Sequence, residues 1–127
     1  MKEQLIDLDT AKLAKDRGFL EPCFHYFSME GDEKQFMEDG LYFLSMGENG
    51  RLILRPTQSQ LQKWLREKHN IHIEILLDQT TYPKFACEIT RFLNYEFIHI
   101  EQLDWSLYRT YEEALEIALF KALKYTI

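Results

Sequence analysis

The sequence changes its periodicity at Asn70, and that change constrains the fold more than any other feature. Over "TQSQLQKWLREKHN", residues 57–70, the apolar Leu61, Trp64 and Leu65 recur at helical spacing. Over "IHIEILL", residues 71–77, Ile71, Ile73 and Ile75 alternate with His72 and Glu74, which fits a half-buried strand. Thr57 followed by Gln60 fits a capping box, and Asn70 tolerates the left-handed backbone that ends a helix. A chain that passes from one period to the other across a single residue must pack a helix against a sheet.

The remaining elements follow the same logic. In "IDLDTAKLAKDRGFLEP" Asp7 is placed to cap a short helix by accepting from the free N–H groups of its first turn, and Asp9 suits the positive end of the helix dipole. Gly18 ends that helix and Pro22 prevents its resumption, with Leu8, Ala11 and Ala14 as the docking residues. "CFHYFSM", "LYFLSM" and "RLILR" read as strands over 23–29, 41–46 and 51–55. "EGDEKQFMEDG" and "GENG" read as turns between them. "KFACEITRF" and "YEFIHIEQL" read as two more strands joined near Leu93 and Asn94. Phe85, Cys87 and Ile89 share a face on the first, as do Ile98 and Ile100 on the second. "TYEEALEIALFKALK" is the clearest helix: Thr110 and Glu113 form a capping box, and Glu112, Glu113 and Glu116 precede Lys121 and Lys124, matching the dipole. Its apolar stripe is Tyr111, Ala114, Leu115, Ala118, Leu119 and Ala122. The expected fold is α+β, a mainly antiparallel sheet of about four to five strands with three helices over approximately 8–17, 58–69 and 111–125 packed on one face. One compact domain over 1–127 is expected.

Hydrophobic residues make up 46% of the sequence and aromatic residues 14%, enough for a packed core. The net charge of −6 repels a phosphate backbone unless basic residues cluster, so nucleic acid is a disfavoured partner. No apolar run approaches a membrane span, and "MKEQLIDLDTAKLAK" lacks the apolar core of a secretory signal. Cys23 and Cys87 then read as thiols in a reducing compartment, and the expected location is cytoplasmic.

The phrases "TAKLAKDRGFLEPC", "RPTQSQLQKWLREKHNIHI" and "YRTYEEALEIALFKAL", in that order, resemble a family of small uncharacterised proteins encoded by phages, prophages and mobile elements of gut anaerobic bacteria. The resemblance covers both ends and the middle of the chain but not 30–50 or 78–105. It implies a mobile-element origin and a cytosolic setting, and it carries no catalytic residue with it.

Four kinds of site are weighed against ordinary structural roles. Lys63 and Arg66, projecting from helix 58–69, are the candidate nucleic-acid contacts. A helix-turn-helix needs a second helix just upstream, where "NGRLILRP" reads as turn and strand, so Trp64 pinning the helix to the sheet is the simpler reading. Cys23 with His25, His69 with His72, and His99 with Glu101 offer metal-ligand types without metal-site spacing. Glu30, Asp32, Glu33, Glu38 and Asp39 could serve a small hydrolase only if a cleft separated their pKa values. No catalytic, cofactor-binding or metal residue is assigned, and no cofactor is expected. The favoured site is a partner surface made of Ile117 and Phe120, on the polar back of the last helix, with Trp105, Tyr108 and Tyr111 upstream. The expected function is that of a non-enzymatic accessory protein acting through protein–protein contacts, homodimer formation included. The nucleic-acid regulator and the acidic-loop hydrolase are the alternatives.

Overall fold

The computed structural model describes residues 4–35, 52–78, 84–94 and 96–126, with backbone alone at 78, 84, 97 and 99–107. The strand read at 41–46, the turn at 47–50, the carboxylates Glu38 and Asp39 and the side chains of His99, Glu101 and Trp105 therefore lie outside what is described. Helices α1 (Leu8–Asp16), α2 (Gln58–His69) and α3 (Tyr111–Leu123) combine with antiparallel strands, so the fold is α+β. The described strands divide between two three-stranded sheets where one was expected. Contacts group the chain into two compact units, Met1–Thr57 and Gln58–Ile127.

The first unit is built on β1 (His25–Phe27), β2 (Glu33–Gln35) and β3 (Ile53–Arg55), in the order β2-β1-β3. The acidic stretch expected as a turn supplies β2: Phe27 pairs with Glu33, and among the described residues 28–32 make the turn. There Gly31 takes φ 94, and Ser28 Oγ accepts from the Asp32 N–H. Helix α1 packs on β3 and buries Thr10, Ala11 and Ala14, with Leu8 only half-buried. Asp7 occupies the N-cap with extended backbone, but its side chain makes no capping hydrogen bond, against expectation. Gly18, with φ 89, closes the other end. Its N–H bonds the Lys15 carbonyl and the Phe19 N–H bonds the Ala14 carbonyl, the paired bonds of a Schellman termination.

Arg55 ties this unit together. Its Nε donates to the Ile6 carbonyl at 2.7 Å, its guanidinium lies 4.6 Å from the Phe27 ring centroid, and it meets the Glu33 carboxylate at 3.2 Å. The N-terminal segment, β1 and β2 are thus all held by one side chain.

The second unit is a sheet of β4 (Ile71–Asp78), β5 (Lys84–Leu93) and β6 (Glu96–Tyr108), in that order, with α2 and α3 against it. The β4–β5 ladder is continuous from Ile71–Arg91 to Asp78–Lys84. Strand β6 continues past Leu103, the last residue of the expected strand "YEFIHIEQL", to Tyr108, and its register shifts twice against β5. One shift falls between His99 and Glu101, and the side chain of Ile100, expected on the face of Ile98, lies outside what is described. Asn70 and Asn94 take φ 55 and 52, the left-handed conformation each connection needs.

Helix α3 buries Ala114, Leu115, Ala118, Leu119, Ala122 and Leu123, while Tyr111, expected in that stripe, is 44% exposed. Its cap forms as read: Thr110 Oγ1 accepts from the Glu113 N–H at 3.0 Å. In return, the Arg109 N–H donates to Glu113 Oε2. Helix α2 buries Leu61, Trp64 and Leu65. Gln58, also buried, donates to the Glu112 carbonyl and the Glu116 carboxylate of α3.

Thr110→Ala is expected to destabilise the protein by about 1 kcal/mol, and Thr110→Ser to retain most of that, because a serine hydroxyl can accept the same bond. Urea unfolding monitored by circular dichroism measures both; equal losses for the two would show that the hydroxyl does not cap.

Candidate interaction surfaces

The expected partner residues separate into two groups. Ile117 and Phe120 sit three residues apart on the side of α3 opposite its buried stripe, as the helical spacing requires. Ile117 is 36% exposed, and Phe120 is half-buried with the Lys124 ammonium 4.8 Å from its ring centroid. That ammonium shields the ring on an otherwise charged face. Tyr111 belongs to the other side of the helix, where its ring meets Phe85 edge-on at 6.2 Å. Phe85 pairs in turn with Tyr108 across β5 and β6. Tyr108 and Tyr111 therefore form a cluster with Phe85, apart from Ile117 and Phe120.

Other exposed apolar side chains went unread in the sequence. Leu77 on β4 is 45% exposed, and Leu93 on β5 and Ile98 on β6 are similarly open. Leu93 has the same parity as Arg91, which pairs with Ile98, so all three share one sheet face. There the Arg91 guanidinium donates to the carbonyl of Tyr125, itself exposed. The alternation in "IHIEILL" marked the face that Leu77 continues, but not how far along that face the helices reach.

The alternative sites gain little geometry. Lys63 is exposed and lies 3.9 Å from Glu67, one turn along α2. Arg66 is exposed, and the residues just before this helix are strand β3 followed by Pro56 and Thr57. Trp64 is buried, and its ring meets His69 edge-on at 4.7 Å. Glu30, Asp32 and Glu33 are exposed around the β1–β2 turn. A small depression lies instead among Lys15, Phe19, Leu20, Leu52 and Leu54, with the Lys15 ammonium bonded to the Leu52 carbonyl. Among the described residues no three His, Cys, Asp or Glu side chains gather as a metal site needs.

Cys23 is buried with its Sγ–H directed to the Glu21 carbonyl at 3.3 Å. Burial, reinforced by the nearby Glu21 charge, pushes this thiol from 9.0 up to about 12, far from a nucleophile's range. His69 is lowered from its ordinary 6.5, first by burial and then by the Arg91 charge. Comparison with family models, with curated proteins and with solved structures finds no match for the chain.

Two pH effects follow. Between 9.0 and about 12 the unfolded chain ionises Cys23 while the folded chain keeps it neutral, so stability contributed by Cys23 falls as pH rises through that window. At pH 8 Cys23 is expected to resist iodoacetamide in the folded protein and to react once guanidinium unfolds it. His69 contributes stability above 6.5 that is lost as pH falls through its lowered value, because the unfolded chain takes up the proton first. Imidazolium formation beside Trp64 should quench fluorescence with a midpoint below 6.5, a step that His69→Gln removes. A quenching step that survives the substitution would assign it elsewhere.

Proposed function

We propose that this chain is a non-enzymatic accessory protein of phage or mobile-element origin that works in the cytoplasm through protein–protein contact. The observation that carries the contact reading is the outward side of α3, where Ile117 stands exposed beside the half-buried Phe120. A Phe on a polar helix face, shielded by one lysine, can be uncovered when that lysine moves. Aromatic side chains in such places are favoured interface anchors. The likeness of "TAKLAKDRGFLEPC" and its companion phrases to mobile-element proteins supports the origin. Cys23 and Cys87, both buried and neither in a disulfide, suit a reducing compartment. No described helix is long and apolar enough to cross a membrane.

The test is capture of partners by the tagged protein from nuclease-treated bacterial lysate at low and high salt, read by mass spectrometry. A specific protein is expected to remain at high salt, because apolar contact is not screened as phosphate contact is. Ile117→Glu should weaken that retention by about tenfold or more without altering circular dichroism. Phe120→Glu should do the same if its ring is uncovered on binding. Retention of DNA or RNA alone, lost with salt and with Lys63→Ala and Arg66→Ala, would replace this reading with the nucleic-acid one.

A further inference from the structure

We infer that β4 is a pairing edge through which two copies of this chain join into one continuous sheet, with Ile75 on the two-fold axis. The α3 surface is not needed for this, so the inference stands apart from the function proposed above.

Among the described strands only β5 pairs with β4. The direction of the open backbone groups follows from the ladder. Residues 70 and 92 fall in the β4–β5 register, and the Phe92 N–H bonds the Asn70 carbonyl at 3.0 Å. In an antiparallel pair such hydrogen-bonded positions alternate, so His72, Glu74 and Leu76 turn their N–H and C=O groups toward β5. Ile71, Ile73, Ile75 and Leu77 turn theirs outward. The Gln62 amide confirms that direction, because it donates to the Ile73 carbonyl from outside the sheet at 3.1 Å.

Edge strands ordinarily carry devices that discourage pairing, such as lysine, proline, bulges or very short length. Strand β2 is short, wholly exposed and contains Lys34. Strand β6 is broken by two register shifts. Strand β4 runs eight residues with an unbroken register, contains no Lys, Pro or Gly, and ends on the exposed Leu77.

The choice of a second copy comes from self-complementarity. Outward groups must face outward groups, so two antiparallel β4 strands can shift only in steps that keep odd residues opposite odd residues. A two-fold axis at Glu74 sets two carboxylates directly opposite each other, which is unfavourable. An axis at Ile73 leaves Leu77 beyond the paired segment. An axis at Ile75 places Ile75 opposite its counterpart, Ile73 opposite Leu77, and Glu74 opposite the apolar Leu76. It covers the exposed Leu77 twice and brings no like charges together at these positions. The Gln62 bond to Ile73 is given up, and a backbone N–H from the second copy takes its place on the same carbonyl.

Sedimentation of the full chain over a range of concentrations tests the inference, with hydrogen exchange followed at Ile75 and Leu77. A dimer is expected, and Leu77→Lys should weaken it by about tenfold or more with unchanged circular dichroism. The Ile75 and Leu77 amides should exchange slowly in the dimer and quickly after dilution. That measurement needs no variant, so it decides the matter even if Leu77→Lys folds poorly. A wild-type chain that stays monomeric at every concentration would overturn the inference. So would a dimer that survives Leu77→Lys, or one whose Ile75 and Leu77 amides exchange at the monomer's rate. A dimer lost with Phe120→Glu and not with Leu77→Lys would place the contact on α3 instead.

Discussion

The second unit depends on the seating of α3 against β4 and β5. Ala114, Ala118 and Ala122 follow one another at four-residue intervals, and none has any surface left in contact with solvent. A methyl group at each of these turns lets the helix lie close to the sheet, while Leu115, Leu119 and Leu123 fill the space beside that line. Ile71, Cys87 and Ile89, all fully buried, supply the sheet side of the core. Side chains larger than alanine on that line would lift the helix and strain the leucines, the overpacking cost of a filled core. The position of α2 is tied to the same helix, because Gln58 spends its amide on the backbone and carboxylate of α3. A helix of twelve residues is marginal alone, so this anchorage and the burial of Leu61, Trp64 and Leu65 are what make α2 persist.

The first unit solves a different problem. Its described strands are three residues long, and a sheet of such strands has few ladder bonds to hold it. Arg55 compensates through geometry available only to a guanidinium, which donates to a carbonyl, faces a ring and meets a carboxylate at once. The Glu33 partner is largely exposed and screened, so the ring contact and the bond to Ile6 carry more of the effect. Lys15 plays a lesser version of the same part, linking α1 to the Leu52 carbonyl beside β3.

What was legible in the sequence was local. The Thr110 cap, the Gly18 termination and the left-handed Asn70 each depend on a few neighbouring residues, and the structure forms all three. The α+β class was legible because helical and strand periods meet at Asn70. The division into two sheets was not, since alternation gives a strand its faces but names no neighbour. Asp7 shows how a suitable cap residue can be in place without making the bond. Strand β6 extends beyond the expected "YEFIHIEQL" because its bulges hide the period. The candidate surface divides likewise. Ile117 followed from the wheel of α3, whereas Tyr111 lies on the buried side yet stands 44% exposed at the helix's first turn. Leu77, Leu93 and Ile98 could not be found from pattern alone, because their exposure depends on where the helices stop covering the sheet.

The two proposed surfaces of the second unit would differ in what they recognise, and their placement keeps them independent. The outward side of α3 offers side chains, so any partner there is selected by shape and apolar fit. The edge of β4 offers backbone groups, which recognise extended chain first and sequence second. Helix α3 lies over a face of the sheet, whereas strand addition extends the sheet sideways in its own plane. Pairing at β4 therefore leaves Ile117 uncovered on each copy. It would present the α3 surface twice, at a separation set by the joined strands, and a partner with two matching sites would then gain from avidity without any new contact.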